Sequence, residues 1–331
     1  MPFLTMRHDF RTPADGSTSQ AEIYRAAMDQ FRWADRHGFD FAVTSEHHGF
    51  VDGWMPAPIT AAAAIAGATE RIPLLLSAVL LPLHDPIRIA EQLVVLDHLS
   101  RGRVWTVLGA GYRPEEFAMA GEDVKQRGKT LEAKIRVLLQ AFTGEPFVHE
   151  GREVQVTPKP FTDPHPPILV GGGVEAAARR AARLRLPMMP MHGDPQLSEW
   201  YRDEAAKTGF EGGYVMRPSG PTFIHVAHDP DAAWAEIGPY VLDEAQTYAA
   251  IQTGGQHSAP MVTAETLDEL RASPQVLVGT PDDIVAAADQ VAPGGALTFN
   301  PLAGGLPPAL AWASLELFAA EVLPRLQAPR T

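Results

Sequence analysis

The chain has 331 residues, 45% of them hydrophobic, and a formal net charge of −13, which argues against nucleic acid as a main partner because phosphate neutralisation requires a basic face. It contains no cysteine, which excludes disulfides and thiolate chemistry and fits a reducing cytoplasm. No apolar run is long enough to span a membrane and no signal-peptide pattern opens the chain, so we expect a cytoplasmic protein without a membrane partner.

Short apolar runs alternate with helical patterns along the chain. Strands are predicted at residues 3–6, 39–43, 72–83, 104–108, 167–170, 186–191, 222–227 and 296–300. Helices are predicted at residues 19–38, 58–69, 86–99, 130–142, 175–184, 197–207, 231–248, 282–292 and 309–326. This alternation predicts an α/β fold with parallel strands, and its length fits a closed (β/α)8 TIM barrel with insertions, as one domain over residues 1–331.

A doubly wound open sheet is the competing architecture. No Gly-rich dinucleotide fingerprint follows the first predicted strand, which disfavours it. Two segments depart from the alternation. Residues 144–166 contain a run around Gly151 that predicts a hairpin or loop insertion. Residues 251–277 are long, polar and glycine-bearing, which predicts a mobile lid.

A titratable cluster, Glu46-His47-His48, follows directly on the second predicted strand. Catalytic residues of a β/α barrel lie at the C-terminal ends of its strands, and imidazole carries protons near neutral pH. A surface histidine pair on a loop is the alternative. His84 and His192 are also predicted at strand ends, so these side chains can converge. No metal is expected, because neighbouring residues point in different directions and no metal-ligand spacing occurs.

Gly171-Gly172-Gly173 lies between a predicted strand and a predicted helix. A backbone without side chains approaches a phosphate closely, and the helix supplies free N–H groups and the positive end of its dipole. A turn that needs positive φ explains the same residues equally well. Gly109-Ala110-Gly111, after another predicted strand, allows the same two interpretations.

Taken together, these stretches resemble the bacterial luciferase-like monooxygenase family. The matching pieces are GFD at 38–40, EHH at 46–48, GATERI at 67–72, LPLHDP at 81–86, AEQ at 90–92, LDHLSRGR at 96–103, GAG at 109–111, EF at 116–117, PHPPILVGGG at 164–173, VGTP at 278–281, LF at 317–318 and EVLP at 321–324. Each motif is modest by itself, but their order and spacing cover nearly the whole chain.

The resemblance implies a flavin-dependent oxidoreductase whose barrel binds the flavin at the C-terminal ends of its strands. It implies a monooxygenase that uses reduced FMN, supplied by a separate reductase, and O₂ on a small organic substrate. It also implies a homodimer formed through the helices at 58–69 and 86–99. A dehydrogenase or reductase that uses the deazaflavin coenzyme F-420, without O₂, is the alternative, and a non-catalytic flavin-binding protein is the second. Light emission is not implied.

The same resemblance assigns site residues. His47 falls at the catalytic histidine, as a general base or a hydrogen-bond donor to a flavin peroxide, and Glu46 orients it or supports the pocket wall. Ala78-Val79 falls where the family carries a non-prolyl cis peptide behind the flavin ring. His192 falls at the edge of the flavin pocket.

The flavin phosphate falls at the turn formed by Gly171, Gly172, Gly173 and Val174. The chain departs from luciferase at two neighbouring positions. Ala110 replaces an arginine that holds this phosphate, so Arg113 or a residue after Gly173 would have to replace it. Gly109 occupies the position of the active-site thiol.

Overall fold

A computed structural model describes residues 1–252 and 263–328. The strands are β1 (Phe3–His8), β2 (Phe41–Thr44), β3 (Leu74–Val79), β4 (Val104–Leu108), β5 (Phe147–His149), β6 (Arg152–Val154), β7 (Ile168–Gly172), β8 (Met188–Pro190), β9 (Phe223–Val226), β10 (Val276–Gly279) and β11 (Ala296–Phe299). The helices are α1 (Gln20–Arg36), α2 (Pro58–Ala68), α3 (Pro86–Ser100), α4 (Pro114–Ala120), α5 (Arg127–Ala141), α6 (Glu175–Arg183), α7 (Pro195–Thr208), α8 (Pro230–Ile251), α9 (Leu267–Ala272), α10 (Pro281–Gln290), α11 (Pro308–Leu317) and α12 (Leu323–Gln327).

The chain forms two compact units. Unit 1 comprises Met1–Val43, Phe50–Met55 and Pro218–Thr331, and unit 2 comprises Thr44–Gly49 and Pro56–Arg217. The single domain predicted over residues 1–331 stays a prediction.

In unit 1, β1 runs parallel to β11, with Phe3 opposite Ala296 and Met6 opposite Phe299. β9 and β10 form a second parallel pair. Helix α1 begins at a capping box in which Ser19 and Glu22 satisfy each other's backbone N–H groups, as the sequence predicts. The aromatic rings of Phe39, Phe299 and Phe318 pack against one another in the core. The ring centroids of Phe299 and Phe318 are 4.6 Å apart.

In unit 2, the parallel strands lie in the order β3-β4-β7-β8. The strand β4 has the predicted bounds. β5 and β6 form an antiparallel hairpin within residues 144–166, and both residues of its turn, Glu150 and Gly151, have positive φ. Arg103 closes the end of α2 by donating to the carbonyl oxygens of Ala66 and Thr69.

Several local predictions differ from the structure. The predicted strand at 72–83 ends at Val79, and Leu81–Leu83 forms a 3-10 turn around Pro82, which lacks the N–H that a strand requires. The short helices α4 and α9 and the four-residue strand β10 were not predicted, because so few residues show no clear hydrophobic period.

Residues 253–262 of the predicted lid lie outside the described residues. Its described part holds α9 and the start of β10, and the lid at 251–277 stays a prediction. Across the two described ranges, every helix is too short or too polar to cross a membrane.

Candidate active site

The loop after β2 places the Glu46 side chain inside unit 2, where the residue is 2% exposed. One carboxylate oxygen, Oε1, lies 2.7 Å from Nε2 of His48 and 2.5 Å from Nε2 of His84. The other oxygen accepts the backbone N–H of Leu80 at 2.7 Å. An ionised carboxylate only accepts hydrogen bonds, so both imidazoles donate through Nε2. Glu46 therefore fixes the orientation of two histidines.

These contacts set the charges of the cluster. Burial by itself would raise the pKa of Glu46, but the hydrogen bonds from His48 and His84 outweigh it and lower that pKa to about 2. The hydrogen bond to Glu46 raises the pKa of His48, against the opposing effect of burial. Near neutral pH, Glu46 is thus an anion beside an imidazole that takes up a proton readily.

His47, the predicted catalytic residue, lies beside a different acid. Its Nδ1 is 3.8 Å from Oε1 of Glu116, and the residue is nearly buried. The same Glu116 oxygen accepts the backbone N–H of His48 at 3.0 Å, and Arg113 donates to the carbonyl oxygen of His48 at 2.8 Å. Burial raises the pKa of Glu116, partly offset by these partners. Glu46 thus orients His48 and His84, while the acid next to His47 is Glu116.

His84 was not assigned a role from the sequence. It follows the 3-10 turn and precedes Asp85, whose side chain caps α3 by accepting from the N–H groups of Ile87 and Arg88. This local geometry turns the imidazole toward Glu46. The only sequence signal was its place at a predicted strand end, within the motif LPLHDP.

The strand ends beside this cluster pack closely. The non-prolyl cis peptide joins Ser77 and Ala78, one bond earlier than the predicted Ala78-Val79. A Cβ atom on Gly109 would lie 3.1 Å from Cβ of Ala78. Glycine at 109 therefore allows the end of β4 to approach the end of β3. Ala110 follows and is partly buried.

The glycines at the end of β7 are explained by contacts within the protein; Gly171 and Gly172 are the last two residues of this strand and only Gly173 follows it. Gly172 has a φ of 140°, and a Cβ atom there would lie 2.6 Å from Cβ of Ala177. A Cβ atom on Gly173 would lie 2.8 Å from Nε2 of His192. Of the two interpretations of these glycines, the turn is sufficient.

The first turn of α6 nevertheless keeps donors available. The preceding residue, Val174, makes no side-chain cap. Within the described ranges, the backbone N–H groups of Glu175 and Ala176 have no acceptor. This donor set fits the phosphate that the resemblance places here.

Arg113, the predicted replacement for the arginine missing at Ala110, is engaged elsewhere, and so are two arginines of α6, the helix that follows Gly173. Arg113 contacts the loop of His48, and Arg179 and Arg183 contact Glu204 at 3.4 Å. Another arginine near this turn was not predicted from the sequence. Arg217 donates to the carbonyl oxygen of Gly193 at 3.2 Å, and it has no carboxylate partner in the described part of the chain.

His192 links this arginine to the glycine turn. Its Nε2 donates to the carbonyl oxygen of Gly173 at 2.9 Å, and Gly193 is the next residue. His192 therefore does not join Glu46, His48 and His84, although all four were predicted at strand ends. It lies instead beside Gly173.

A metal was not expected from the sequence. The structure brings the ligand-type atoms of Glu46, His48 and His84 within 4.8 Å of one another, and two histidines with one carboxylate form a ligand set used by divalent metals. The atoms that would bind an ion already form hydrogen bonds with each other. These bonds account for the three side chains without an ion.

Unit 1 contains a second polar cluster, which the sequence did not reveal. Asp9 follows β1 and lies 2.7 Å from Nη2 of Arg7, which also contacts the Tyr248 hydroxyl. Asn300 follows β11 and donates to Oε1 of Glu244 at 2.9 Å. All five residues are buried. Burial and the charge of Asp9 raise the pKa of Glu244 well above its usual value, which favours the protonated form of this acid.

Comparison with known proteins places these features in a family. The family described as luciferase-like monooxygenase matches residues 3–298. The alkanal monooxygenase alpha chain of Photorhabdus luminescens is 27% identical over 177 residues, which are 52% of this chain and 49% of that relative. The chain spans about half the length of the first curated relatives that it matches.

Two solved structures resemble the whole chain. Monooxygenase RslO1 from Streptomyces bottropensis gives a TM-score of 0.79 at 24% identity, over 98% of this chain and 100% of that one. The oxygenating constituent of 3,6-diketocamphane monooxygenase from Pseudomonas putida, in complex with FMN, gives a TM-score of 0.71 at 20% identity. This match covers 99% of this chain and 100% of that one. These likenesses confirm the predicted fold class, an α/β fold of the luciferase-like barrel type.

Proposed function

Because the chain belongs to the luciferase-like monooxygenase family, we propose that it is a flavin-dependent monooxygenase that uses reduced FMN and O₂ on a small organic substrate. The observation that carries this proposal is the buried carboxylate of Glu46 at the end of β2, which holds two imidazoles beside His47. Strand ends are where barrel enzymes place their catalytic groups. Proton carriers fixed at such an end fit an enzyme better than a binding protein.

The residues after β7 would hold the phosphate of the cofactor. The free N–H groups of Glu175 and Ala176 point out of the start of α6, and the Gly173 backbone is held by His192. Bound FMN supplies the redox chemistry with O₂. The part of this chain is to bind the cofactor, to exclude water and to move protons.

His47 is the residue we assign to proton transfer at the reacting atoms. It is nearly buried, and its Nδ1 faces Glu116 at 3.8 Å. An acid at this distance stabilises the protonated imidazole when the proton arrives. The ring thus accepts a proton from the substrate or donates one to reduced oxygen.

A homodimer and a separate flavin reductase complete the proposal, together with a cytoplasmic location. On α3, Val95 is 51% exposed and Leu99, one turn later, is 56% exposed. Two apolar side chains four residues apart form one face, which a second copy would cover. Light scattering should give twice the chain mass, and Val95→Glu with Leu99→Glu should give a monomer. A monomeric native protein removes this part of the proposal.

The direct test is an anaerobic titration of the purified chain with reduced FMN and, separately, with the reduced deazaflavin coenzyme. We expect tighter binding of reduced FMN, and O₂ consumption when air is admitted with a flavin reductase present. The variant His47→Ala should bind reduced FMN normally and lose turnover in a substrate screen. Preference for the deazaflavin, without O₂ uptake, would replace the monooxygenase by a hydride-transfer enzyme.

A further inference from the structure

We propose that Glu46, His48 and His84 form a proton-exchanging unit, in which one carboxylate fixes both imidazoles and leaves Nδ1 of each ring to gain or lose a proton. This deepens the proposed function, on which its place in the reaction rests, by assigning proton exchange to two histidines besides His47. The exchange itself requires no flavin. Glu46 is the positioning residue of this unit.

The hydrogen bonds determine which ring nitrogen is available. Both Nε2 atoms lie within hydrogen-bond distance of the same oxygen, Oε1 of Glu46, at 2.5 and 2.7 Å. That oxygen has two lone pairs and accepts both N–H groups. The neutral rings are therefore held as Nε2–H tautomers, with the lone pair of each on Nδ1. A carboxylate that fixes an imidazole in this way is the arrangement used to orient general bases.

The available nitrogens are accessible while the carboxylate is not. The side chains of His48 and His84 are 20% and 30% exposed, whereas that of Glu46 is 1% exposed. Neither Nδ1 atom has a partner within the described ranges. Protons thus reach both rings from outside without disturbing the buried bonds.

The surrounding charges favour the protonated form of His48. Glu116, in α4, accepts the backbone N–H of His48, so a second acid faces this loop, while Arg113 at the start of α4 opposes it. Asp85, before α3, is occupied as the helix cap beside His84. The ionised Glu46 contacts both rings directly and outweighs the more distant cation. The hydrogen bond to Glu46 therefore raises the pKa of His48 despite the opposing charge of Arg113.

The test is an NMR titration of histidines labelled with ¹³C at Cε1, in the full chain without cofactor. The variants His48→Gln and His84→Gln assign the two resonances. We expect the His48 midpoint above that of an unperturbed histidine, and the His84 resonance should shift as His48 titrates because both rings donate to Oε1 of Glu46. Glu46→Gln should lower the His48 midpoint by about one pH unit. Independent titration of both rings, unchanged by Glu46→Gln, overturns the proposal.

Two controls keep the outcome interpretable. His192→Gln, at the phosphate turn, should leave both midpoints unchanged. If Glu46→Gln does not fold, His84→Ala serves instead. It removes one of the two donors that share Oε1, so the remaining bond to His48 strengthens and the His48 midpoint should rise. An unchanged midpoint in this variant contradicts the shared acceptor.

Zinc addition distinguishes the proposal from a metal centre. We expect no stoichiometric Zn²⁺ binding and no change in the two titrations. Binding of one Zn²⁺ that abolishes both would overturn the proposal and make the three side chains ligands. A coupled titration in a chain that binds neither flavin supports the unit and removes the proposed function, so the two can fail separately.

Discussion

Oε1 of Glu46 lies 2.5 Å from Nε2 of His84, although 38 positions separate the two residues. The bond joins the loop after β2 to the turn before α3, and the same oxygen binds His48. Removing its charge leaves two donors without their anionic acceptor. We expect Glu46→Gln to destabilise the protein by about 2 kcal/mol.

The loss should depend on pH in a defined direction. The pKa of Glu46 is lowered to about 2, so its contribution is present above its unfolded pKa and is lost as pH falls toward 2. The pKa of His48 is raised, so its contribution is present below its unfolded pKa and is lost as pH rises through the folded value. The free energies of unfolding of the native protein and of Glu46→Gln, measured in urea, should therefore differ most near pH 5.5. Glu115→Gln, an exposed acid on α4, is the matched control, and an equal loss at pH 3, 5.5 and 9 would contradict the assignment.

The unit 1 cluster gives a second prediction. Glu244 is buried beside Asp9, which raises the pKa of Glu244. An acid with a raised folded pKa contributes stability below its unfolded pKa that is lost as pH rises through the folded one. Glu244→Gln mimics the protonated acid, so its stability relative to the native protein should increase from pH 5 to pH 9 in urea unfolding.

Two further variants provide a large and a small loss of stability with which Glu244→Gln can be compared. Asp9→Asn removes the carboxylate 2.7 Å from the buried Arg7 guanidinium and should cost about 3 kcal/mol. Asp243→Asn, on the same helix as Glu244 but partly exposed, should cost about 0.5 kcal/mol. If Glu244→Gln proves as damaging as Asp9→Asn at every pH, Glu244 is ionised in the native protein.

His8, at the end of β1, should make the stability of unit 1 sensitive to acid. The ring is buried, and within the described residues neither nitrogen has a hydrogen-bond partner. Burial lowers the pKa of His8 to about 3. The unfolded chain then binds a proton that the folded one does not, so stability is lost as pH falls below the unfolded value near 6.5.

His8→Leu should remove this loss. Between pH 7 and pH 4.5 we expect the native protein to lose about 2 kcal/mol more than the variant, measured by urea unfolding at both pH values. His228→Leu, an exposed histidine whose side chain is 70% accessible, should follow the native curve. If His8→Leu and the native protein lose the same stability between pH 7 and pH 4.5, the protonated ring of His8 must form a hydrogen bond in the folded protein.

The sequence predicted features that repeat or lie next to each other along the chain. The run at 104–108 matched β4 to the residue, because β-branched and aromatic residues are bounded there by Arg103 and Gly109. The cluster after β2 was predicted because Glu46, His47 and His48 are neighbours. The strand β10 was missed, since three apolar residues before Gly279 show no period.

The partners of the site were harder to predict because they come from distant elements. No local pattern states that His84 reaches Glu46 while His192 reaches Gly173. Glu244 lies inside an ordinary helical pattern, and its meeting with Asp9 and Asn300 depends on how unit 1 packs. Strand-end position gave the candidates, and tertiary structure selected among them.

The stability of unit 2 should depend on the guanidinium group of Arg103. Its five described hydrogen bonds go to Ser100, Ile72, Ala66 and both oxygens of Thr69, so it satisfies carbonyl groups that the end of α2 leaves without a helical donor. The planar fork reaches all of them at once, which a lysine cannot do. We expect Arg103→Lys to cost about 2 kcal/mol in urea unfolding and Arg103→Ala more. Arg101→Lys, two residues earlier and exposed, is the matched control, and equal stability of Arg103→Lys and the native protein would mean that water replaces these bonds without cost.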